Sequence, residues 1–319
     1  MSEALPREQL EAAHCWEADD RIPGQPETTD LRRRLRYHQA RWREANGHPV
    51  GSQPMAPRPG QKSRPVGSRL QLDYARDTGA TFVTPAALSA ARARTSTVEA
   101  HQSVDHQRLW ADLLWSPALA FNLFGDLADD LRLADRAVHA WWPDAPGKVS
   151  DVRFAHSPGR LDPQYLNSLR DFAAAFVLDR GDGTRGMVAV DVKYHDYFQP
   201  GIPKPTNLPR NLEVARRSRT FRRGATDQLT GRSELCVTWL EHLLLLSMLQ
   251  HPGGEWSWGL YVVVHPADSA SVVEGCHRYR SLLADESTFA TLTVEELLGS
   301  AVLRPKTLAA LRERYVPEP

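Results

Sequence analysis

Two apolar runs joined by a strong turn signal constrain the fold of this chain more than any other feature. The runs are Phe172–Asp179 (FAAAFVLD) and Met187–Tyr194 (MVAVDVKY), and Arg180–Gly186 (RGDGTRG) separates them. Short apolar runs bounded by glycine and aspartate are typical of strands joined by a tight turn. We therefore expect a β-hairpin near the middle of the chain.

Helical and strand-like segments surround this hairpin. The spacing of apolar residues predicts helices within 105–135 and a long helix at about 226–250. The other expected elements are a short strand at Val152–Ala155, a fourth strand at Ser257–His265, a short element at about 289–299, and helices at about 268–284 and 305–315. The order helix, three strands, helix, strand predicts an α/β fold with a mixed sheet.

The N-terminal part differs from this pattern. Residues 4–19 and 28–45 are expected to be helical, whereas 46–68 is rich in Pro, Gly and Ser and is expected to form a loop. We therefore predict an added N-terminal helical region over 1–66 and a second domain over 67–319.

Composition limits the possible partners and compartments. The chain has 39 Lys and Arg residues against 39 Asp and Glu residues, so attraction to nucleic acid has to come from a local patch. Its three cysteines form no CxxC pair and do not match a structural zinc site or a disulfide framework. The most apolar stretch, 240–249, is too short to span a bilayer. We expect a cytoplasmic protein with no membrane partner.

The end of the second hairpin strand carries an acid and a lysine two residues apart. Residues at this spacing project from the same face of a strand, so Asp191 and Lys193 are expected to lie side by side. A carboxylate and an ammonium group are costly inside a core unless they are paired or bind a metal. One use for such a pair is a divalent cation on Asp191 with Lys193 directed at an attacking water. The other interpretation is a salt bridge at a strand end.

Several motifs resemble one enzyme family. They are His156–Arg160 (HSPGR), Ala175-Phe176, Val190–Asp196 (VDVKYHD), Gly67–Leu70 (GSRL), Leu114–Phe124 (LWSPALAFNLF) and Tyr279–Leu283 (YRSLL). Together they resemble a bacterial restriction-endonuclease-like branch of the PD-(D/E)XK nuclease superfamily, over most of residues 31–300. The resemblance implies a restriction-endonuclease-like core and hydrolysis of DNA that depends on Mg²⁺ or Mn²⁺.

Four acidic positions of that branch are changed here. Ala155 stands where the resemblance implies a Glu, and Val177 stands where it implies an Asp. Asp191 and Asp196 each stand in place of a Glu and keep the negative charge. The first two changes remove a charge, so the sequence predicts weakened catalysis or a protein that binds without cutting.

The register of the hairpin determines whether another acid can replace the missing one. A turn centred near residues 183 and 184 pairs positions whose numbers sum to about 367 or 368. Asp191 is then expected opposite Phe176 or Val177. In the second register Asp179 shares the face of Asp191, displaced by roughly 7 Å. Asp191 and Asp179 are therefore the candidate metal ligands and, with Lys193, the candidate catalytic residues.

An arginine-rich stretch follows the hairpin. Between residues 210 and 232 seven arginines face only Glu213 and Asp227, and a guanidinium fork binds two phosphate oxygens at once. An exposed loop or a partner surface is the alternative interpretation, and His156 could instead be a structural hydrogen-bonding residue. The candidate nucleic-acid-binding residues are His156, Arg160, Arg216, Arg217, Arg219, Arg222 and Arg223.

Three hypotheses for function remain open from the sequence. The first is a metal-dependent DNA endonuclease, which as a homodimer would provide the two active sites that double-strand cutting normally needs. The second is a nuclease-fold protein that binds nucleic acid or a partner, for example in a bacterial defence system, with little or no cleavage. The third is an unrelated α/β protein in which Asp191 and Lys193 form a salt bridge.

Overall fold

The computed structural model describes residues 5–16, 30–97, 104–196 and 198–317. Its backbone packing divides the chain into two compact units. The first comprises Met1–Thr95, Val104–Gly125 and Leu303–Pro319, and the second comprises Ser96–Ser103 and Asp126–Val302. The domain boundary after residue 66 stays a prediction.

The first unit contains most of the helices that precede the hairpin. Its elements are α1 (Arg7–Ala12), α2 (Asp30–Ala45), β1 (Val50–Gln53), β2 (Arg64–Leu70), α3 (Leu72–Thr78), α4 (Pro85–Ser96), α5 (His106–Ala111) and α13 (Pro305–Tyr315), and α6 (Ser116–Asp129) begins in it. Both N-terminal helices are thus found, but the first is shorter than expected, because residues 13–16 are not helical. The parts of those predictions that fall on residues 4, 17–19 and 28–29 lie outside the described residues.

The predicted loop over 46–68 is wrong in part, because β1 and β2 pair as antiparallel strands within it. Two of its glycines allow backbones to approach closely. A Cβ on Gly67 would lie 1.9 Å from the Ala13 carbonyl oxygen, and one on Gly51 would lie 2.3 Å from that of Leu70. Glycines that suggest a loop from composition alone therefore serve here to pack strands.

The second unit is built on a five-stranded mixed sheet. Its elements are α7 (Leu131–Trp141), β3 (Lys148–His156), β4 (Phe172–Asp179), β5 (Arg185–Val192), α8 (Leu208–Ser218), α9 (Ala225–Thr230), α10 (Cys236–Leu249), β6 (Trp256–His265), α11 (Ala270–Ser281), β7 (Phe289–Thr293) and α12 (Val294–Gly299). The strand order is β3-β4-β5-β6-β7, with β3, β4 and β5 antiparallel and β5, β6 and β7 parallel. The predicted α/β class and the order helix, three strands, helix, strand are confirmed.

The long helix expected at 226–250 is two helices. Residues 231–235 interrupt it, and Ser233 and Gly201 exchange backbone hydrogen bonds of 2.9 and 3.0 Å across the break. Gly231 ends α9 in an extended conformation. The short element expected near 289–299 is also resolved into β7 and α12.

Helices cover both faces of the sheet. Ala175 and Val177 of β4 share one apolar cluster with Trp239 and Leu243 of α10. On the opposite face the Phe176 ring lies 6.0 Å from that of Trp142, which ends α7. Asp191 has the same parity along β5 as the clustered residues Met187 and Ala189, so it belongs to the face that α10 covers.

Helix α10 is apolar almost all round, as expected of a helix buried on every side. Its fourteen residues make it too short to cross a bilayer. Within the described ranges, none of the helices combines the length and apolar character that a membrane crossing requires.

The register of the β4–β5 hairpin corrects both predicted registers. Ala174 pairs with Val190, and Asp179 pairs with Arg185, so the turn comprises residues 180–184. The Asp179 carboxylate accepts a hydrogen bond of 2.9 Å from the Gly181 N–H, and the Asp182 carboxylate accepts one of 2.9 Å from the Thr184 N–H. These local bonds close the turn around Asp182, one to two residues earlier than the glycine content suggested.

His242 provides a pH test of this core. Its ring nitrogens contact the Tyr279 and Thr288 hydroxyls at 2.9 Å each, and burial lowers its pKa from 6.5 to about 3. The unfolded chain takes up a proton on His242 at a higher pH than the folded protein does. We therefore expect the free energy of unfolding to fall as pH drops from 6.5 towards 3, by up to about 1.4 kcal/mol per pH unit. Urea titrations of the wild type and His242→Gln would measure it. A stability difference between the two that does not change with pH would contradict the assignment.

Candidate active site at the end of strand β5

An acid and a lysine meet at the carboxyl end of β5. Lys193 Nζ lies 2.7 Å from Asp191 Oδ2, and the two side chains retain 14% and 12% of their accessible surface. The Lys193 N–H donates to the Val264 carbonyl at 2.8 Å, which ties the residue to β6. The pair is therefore held rigidly and is largely, but not completely, shielded from water.

A second carboxylate joins this pair from helix α10. Glu241 is 7% exposed, and its Oε2 accepts a hydrogen bond of 2.8 Å from the Tyr261 hydroxyl. The charges of Asp191 and Lys193 both shift the pKa of Glu241, in opposite directions. Sequence reasoning missed Glu241 as a site residue. The available signal was a lone acid on a helix, CVTWLEHLLLLSML, whose other faces are almost entirely apolar.

The pKa values show how strongly these groups interact. Burial and the negative charge of Asp191 raise the pKa of Glu241 to about 8, although Lys193 opposes the shift. Burial alone would lower the pKa of Lys193, but Asp191 and Glu241 outweigh it and raise that pKa overall. Lys193 therefore stays protonated at neutral pH, whereas Glu241 holds a proton over much of the neutral range.

Two more charged residues act on this centre. The positive charge of Arg170, which precedes β4, lowers the pKa of Glu241 and also acts on Cys236 at the start of α10. The negative charge of Asp196 contributes to the raised pKa of Lys193. The charges of Arg170 and Asp196 thus add to the interactions among Asp191, Lys193 and Glu241.

The structure does not bring Asp179 to this centre. Asp179 pairs with Arg185 at the first residue of β5, and Asp191 lies six residues farther along that strand, about 20 Å away. The geometric case for Asp179 as a ligand depended on a register that the structure does not have. Its carboxylate is instead engaged by the Gly181 N–H.

The two positions that lack an expected acid lie in different places. Val177 pairs with Met187, four residues before Asp191, and both are buried in the α10-facing cluster. The β3–β4 register places Ala155 of β3 across from Ala173 of β4. Continuing the β4–β5 register by one residue places Ala173 across from Asp191 of β5. The cross-strand neighbours of Asp191 are therefore Ala173 on β4 and Val263 on β6, so neither adjacent strand supplies a carboxylate beside it.

The candidate nucleic-acid-binding residues fall into two groups. His156 ends β3, where it pairs with Phe172, and Arg160 follows in the next turn. The remaining five are all exposed on the end of α8 and its connection to α9, which we call the arginine segment: Arg216, Arg217, Arg219, Arg222 and Arg223. The Arg222 N–H donates to the Leu282 carbonyl at 2.9 Å and anchors this segment to the end of α11.

Asp191 and Glu241 could together hold a divalent cation. Apart from the contact with Lys193 Nζ, Asp191 Oδ2 is buried without a hydrogen-bond partner in the described structure. Mg²⁺ typically takes one or two protein carboxylates and completes its shell with water and phosphate oxygens. Among the described residues no group of three or more His, Cys, Asp or Glu could hold a metal.

Glu241 should make the metal-free protein less stable as pH rises. Its pKa of about 8 lies above the ordinary value of 4.5, so between these values the folded state keeps a proton that the unfolded chain has lost. We expect Glu241→Gln to gain stability relative to wild type across this range, by up to about 1.4 kcal/mol per pH unit. Urea titrations in EDTA would measure it. A difference that is constant from pH 5 to 8 would contradict the shifted pKa.

Comparison with known proteins gives one result. A family model described as the PD-(D/E)XK nuclease superfamily matches residues 25–317, which is most of the chain. No curated protein and no solved structure matches it. The matched range includes the five-stranded sheet and every residue of the centre at the end of β5. This chain belongs to the PD-(D/E)XK nuclease superfamily.

Proposed function

We propose that this protein hydrolyses phosphodiester bonds of DNA with Mg²⁺ or Mn²⁺ held by Asp191 and Glu241. The observation that supports this most is the convergence of Asp191, Lys193 and Glu241 at one end of a buried strand. Membership in a nuclease superfamily supports a nuclease-like function, and the geometry favours these residues as its centre. The bound cation would polarise the phosphate and lower the pKa of a coordinated water.

Lys193 acts in this scheme as a cation. Its raised pKa keeps the ammonium group charged at neutral pH, so it donates hydrogen bonds and does not take a proton from water. It can orient the attacking water or stabilise negative charge that develops on the phosphate. Glu241 has to lose its proton before it can hold a cation, and a nearby positive charge lowers its pKa in the required direction.

The arginine segment provides the phosphate contacts in this proposal. Its exposed guanidinium groups can bind backbone oxygens in pairs, which positions a strand without reading its sequence. DNA is therefore the proposed partner. A homodimer, the arrangement that would place two such centres on one duplex, is part of the proposal.

A second candidate function is binding without cleavage. The centre has two acids instead of a larger set among the described residues, and the Asp191 side chain is only 12% exposed. Both features would weaken metal binding and limit access of a phosphodiester. The same scaffold would then bind nucleic acid or a protein partner through the arginine segment.

Substitutions at the centre distinguish these two functions. We expect the wild type to cleave plasmid DNA in Mg²⁺ or Mn²⁺, and we expect Asp191→Asn, Glu241→Gln and Lys193→Met each to lower the rate about a hundred-fold or more. Gel assays measure this decrease. Asp144→Asn is a matched control because Asp144 is an exposed carboxylate between α7 and β3.

The outcomes of that assay are distinct. No cleavage by the wild type, together with salt-dependent retardation of DNA, would favour the binding function. Cleavage that survives all three substitutions would contradict the proposed centre. Loss of cleavage in Asp179→Asn but not in Glu241→Gln would favour the ligand pair expected from the sequence.

The arginine segment predicts a specific salt dependence. We expect the double variant Arg222→Ala, Arg223→Ala to bind DNA more weakly and to reduce the slope of log K against log salt by about 0.9 for each phosphate that it no longer neutralises. Fluorescence polarisation over a salt series measures this slope. Arg132→Ala, Arg136→Ala is the matched control, since both arginines are exposed on α7 and the charge change is equal. An equal effect of the two double variants would contradict a specific DNA-binding surface on the arginine segment.

A further inference from the structure

A cleft of about 480 Å³ lies in the second unit beside the start of α10. Three segments form it: the loop after β5, helix α9 with its connection to α10, and the end of α11. Its lining consists of Pro200, Gln228, Arg232, Ser233, Glu234, Leu235, Arg278, Ser281 and Leu282. A volume of this size is typical of sites that bind small organic molecules.

The polar side of the cleft favours an anion. Two guanidinium groups, those of Arg232 and Arg278, and one carboxylate, that of Glu234, line the cleft. The lining therefore has one net positive charge. Glu234 already contacts Arg278 at 2.7 Å, and an arginine fork has further donors to offer. Ser233 adds a hydroxyl group, whereas the Ser281 hydroxyl already donates to the Arg278 carbonyl at 2.7 Å. Phosphate is the anion that such a set of forks and one hydroxyl suits best.

The remaining lining suits a flat, partly apolar group next to that anion. Pro200, Leu235 and Leu282 supply apolar surface, and the side-chain amide of Gln228 can both donate and accept hydrogen bonds. A nucleobase has the same combination of apolar faces and a hydrogen-bonding edge. The two sides together therefore match a phosphorylated nucleoside better than they match phosphate alone.

The cleft adjoins the arginine segment, and one of its walls belongs to the helix that carries Glu241. Leu282, one of its walls, accepts the backbone hydrogen bond from Arg222 of the arginine segment. Leu235, another wall, is six residues before Glu241, a rise of about 9 Å along α10. The charge of Arg170 acts on both Cys236 and Glu241, at the two ends of this interval.

We propose that this cleft binds one nucleoside phosphate, either as a free mononucleotide or as a single nucleotide of a bound strand. Occupancy requires no metal and no cleavage, so the proposal goes beyond the hydrolytic function and does not depend on it. In the strand-bound case the cleft would hold a nucleotide close to the Asp191 centre.

Calorimetry on the full-length protein in EDTA tests the proposal. We expect deoxyadenosine 5′-monophosphate to bind, and deoxyadenosine and inorganic phosphate each to bind at least about ten-fold more weakly. Arg232→Ala removes a phosphate donor, and Ser281→Trp fills the cleft from an exposed position without changing its charge. Both should weaken binding by about ten-fold, whereas Arg132→Ala should not.

A second arm identifies the source of the nucleotide. Polarisation of a labelled single-stranded oligonucleotide, also in EDTA, is compared in the same variants and in the Arg222→Ala, Arg223→Ala double. Mononucleotide binding that both cleft variants weaken supports a free nucleotide. Cleft-dependent binding of the oligonucleotide alone supports a strand nucleotide.

Two results would overturn the proposal. One is that neither probe responds to Arg232→Ala or Ser281→Trp, and the other is that inorganic phosphate binds as tightly as the mononucleotide. Because the readout is binding without metal, loss or absence of cleavage leaves these outcomes unchanged. Failure of the cleft and failure of the hydrolytic centre are therefore distinguishable.

Discussion

The electrostatic interaction of two carboxylates and one ammonium group within an apolar interior is the constraint on which the rest of the site depends. Asp191 and Lys193 neutralise each other at 2.7 Å, and Glu241 adds a further negative charge when it is ionised. Burial makes this excess costly, so a proton or a cation has to compensate for it. In our proposal a divalent cation takes the place of that proton.

The fold supplies the rigidity that this arrangement requires. Strand β5 is hydrogen-bonded on both sides, antiparallel to β4 and parallel to β6, so the backbone that carries Asp191 is held in place. Helix α10 packs its apolar surface over the same face and carries Glu241 into the core. The Tyr261 hydroxyl, from β6, then fixes that carboxylate at 2.8 Å.

The structure also shows what surrounds the two positions that lack an expected acid. Val177 pairs with Met187 away from Asp191, so restoring an acid there would bury a charge among apolar side chains. Ala155 lies level with Asp191 across the sheet, but on β3, two strands away. The carboxylate of Glu241 comes from α10, which covers this face of the sheet, and strand registers do not describe that direction. In our proposal Glu241 thus serves in place of a strand acid.

Local sequence determined the class of fold, the extent of β4 and the pairing of Asp191 with Lys193, since periodicity and spacing act over a few residues. Only the tertiary structure decided the register of the hairpin, because turn bonds involving Asp179 and Asp182 override the glycine pattern. It alone also placed Glu241, fifty residues after Asp191, where the charges of Asp191 and Lys193 act on it. Such proximity arises from the packing of a whole helix on a sheet, which no spacing in the sequence encodes.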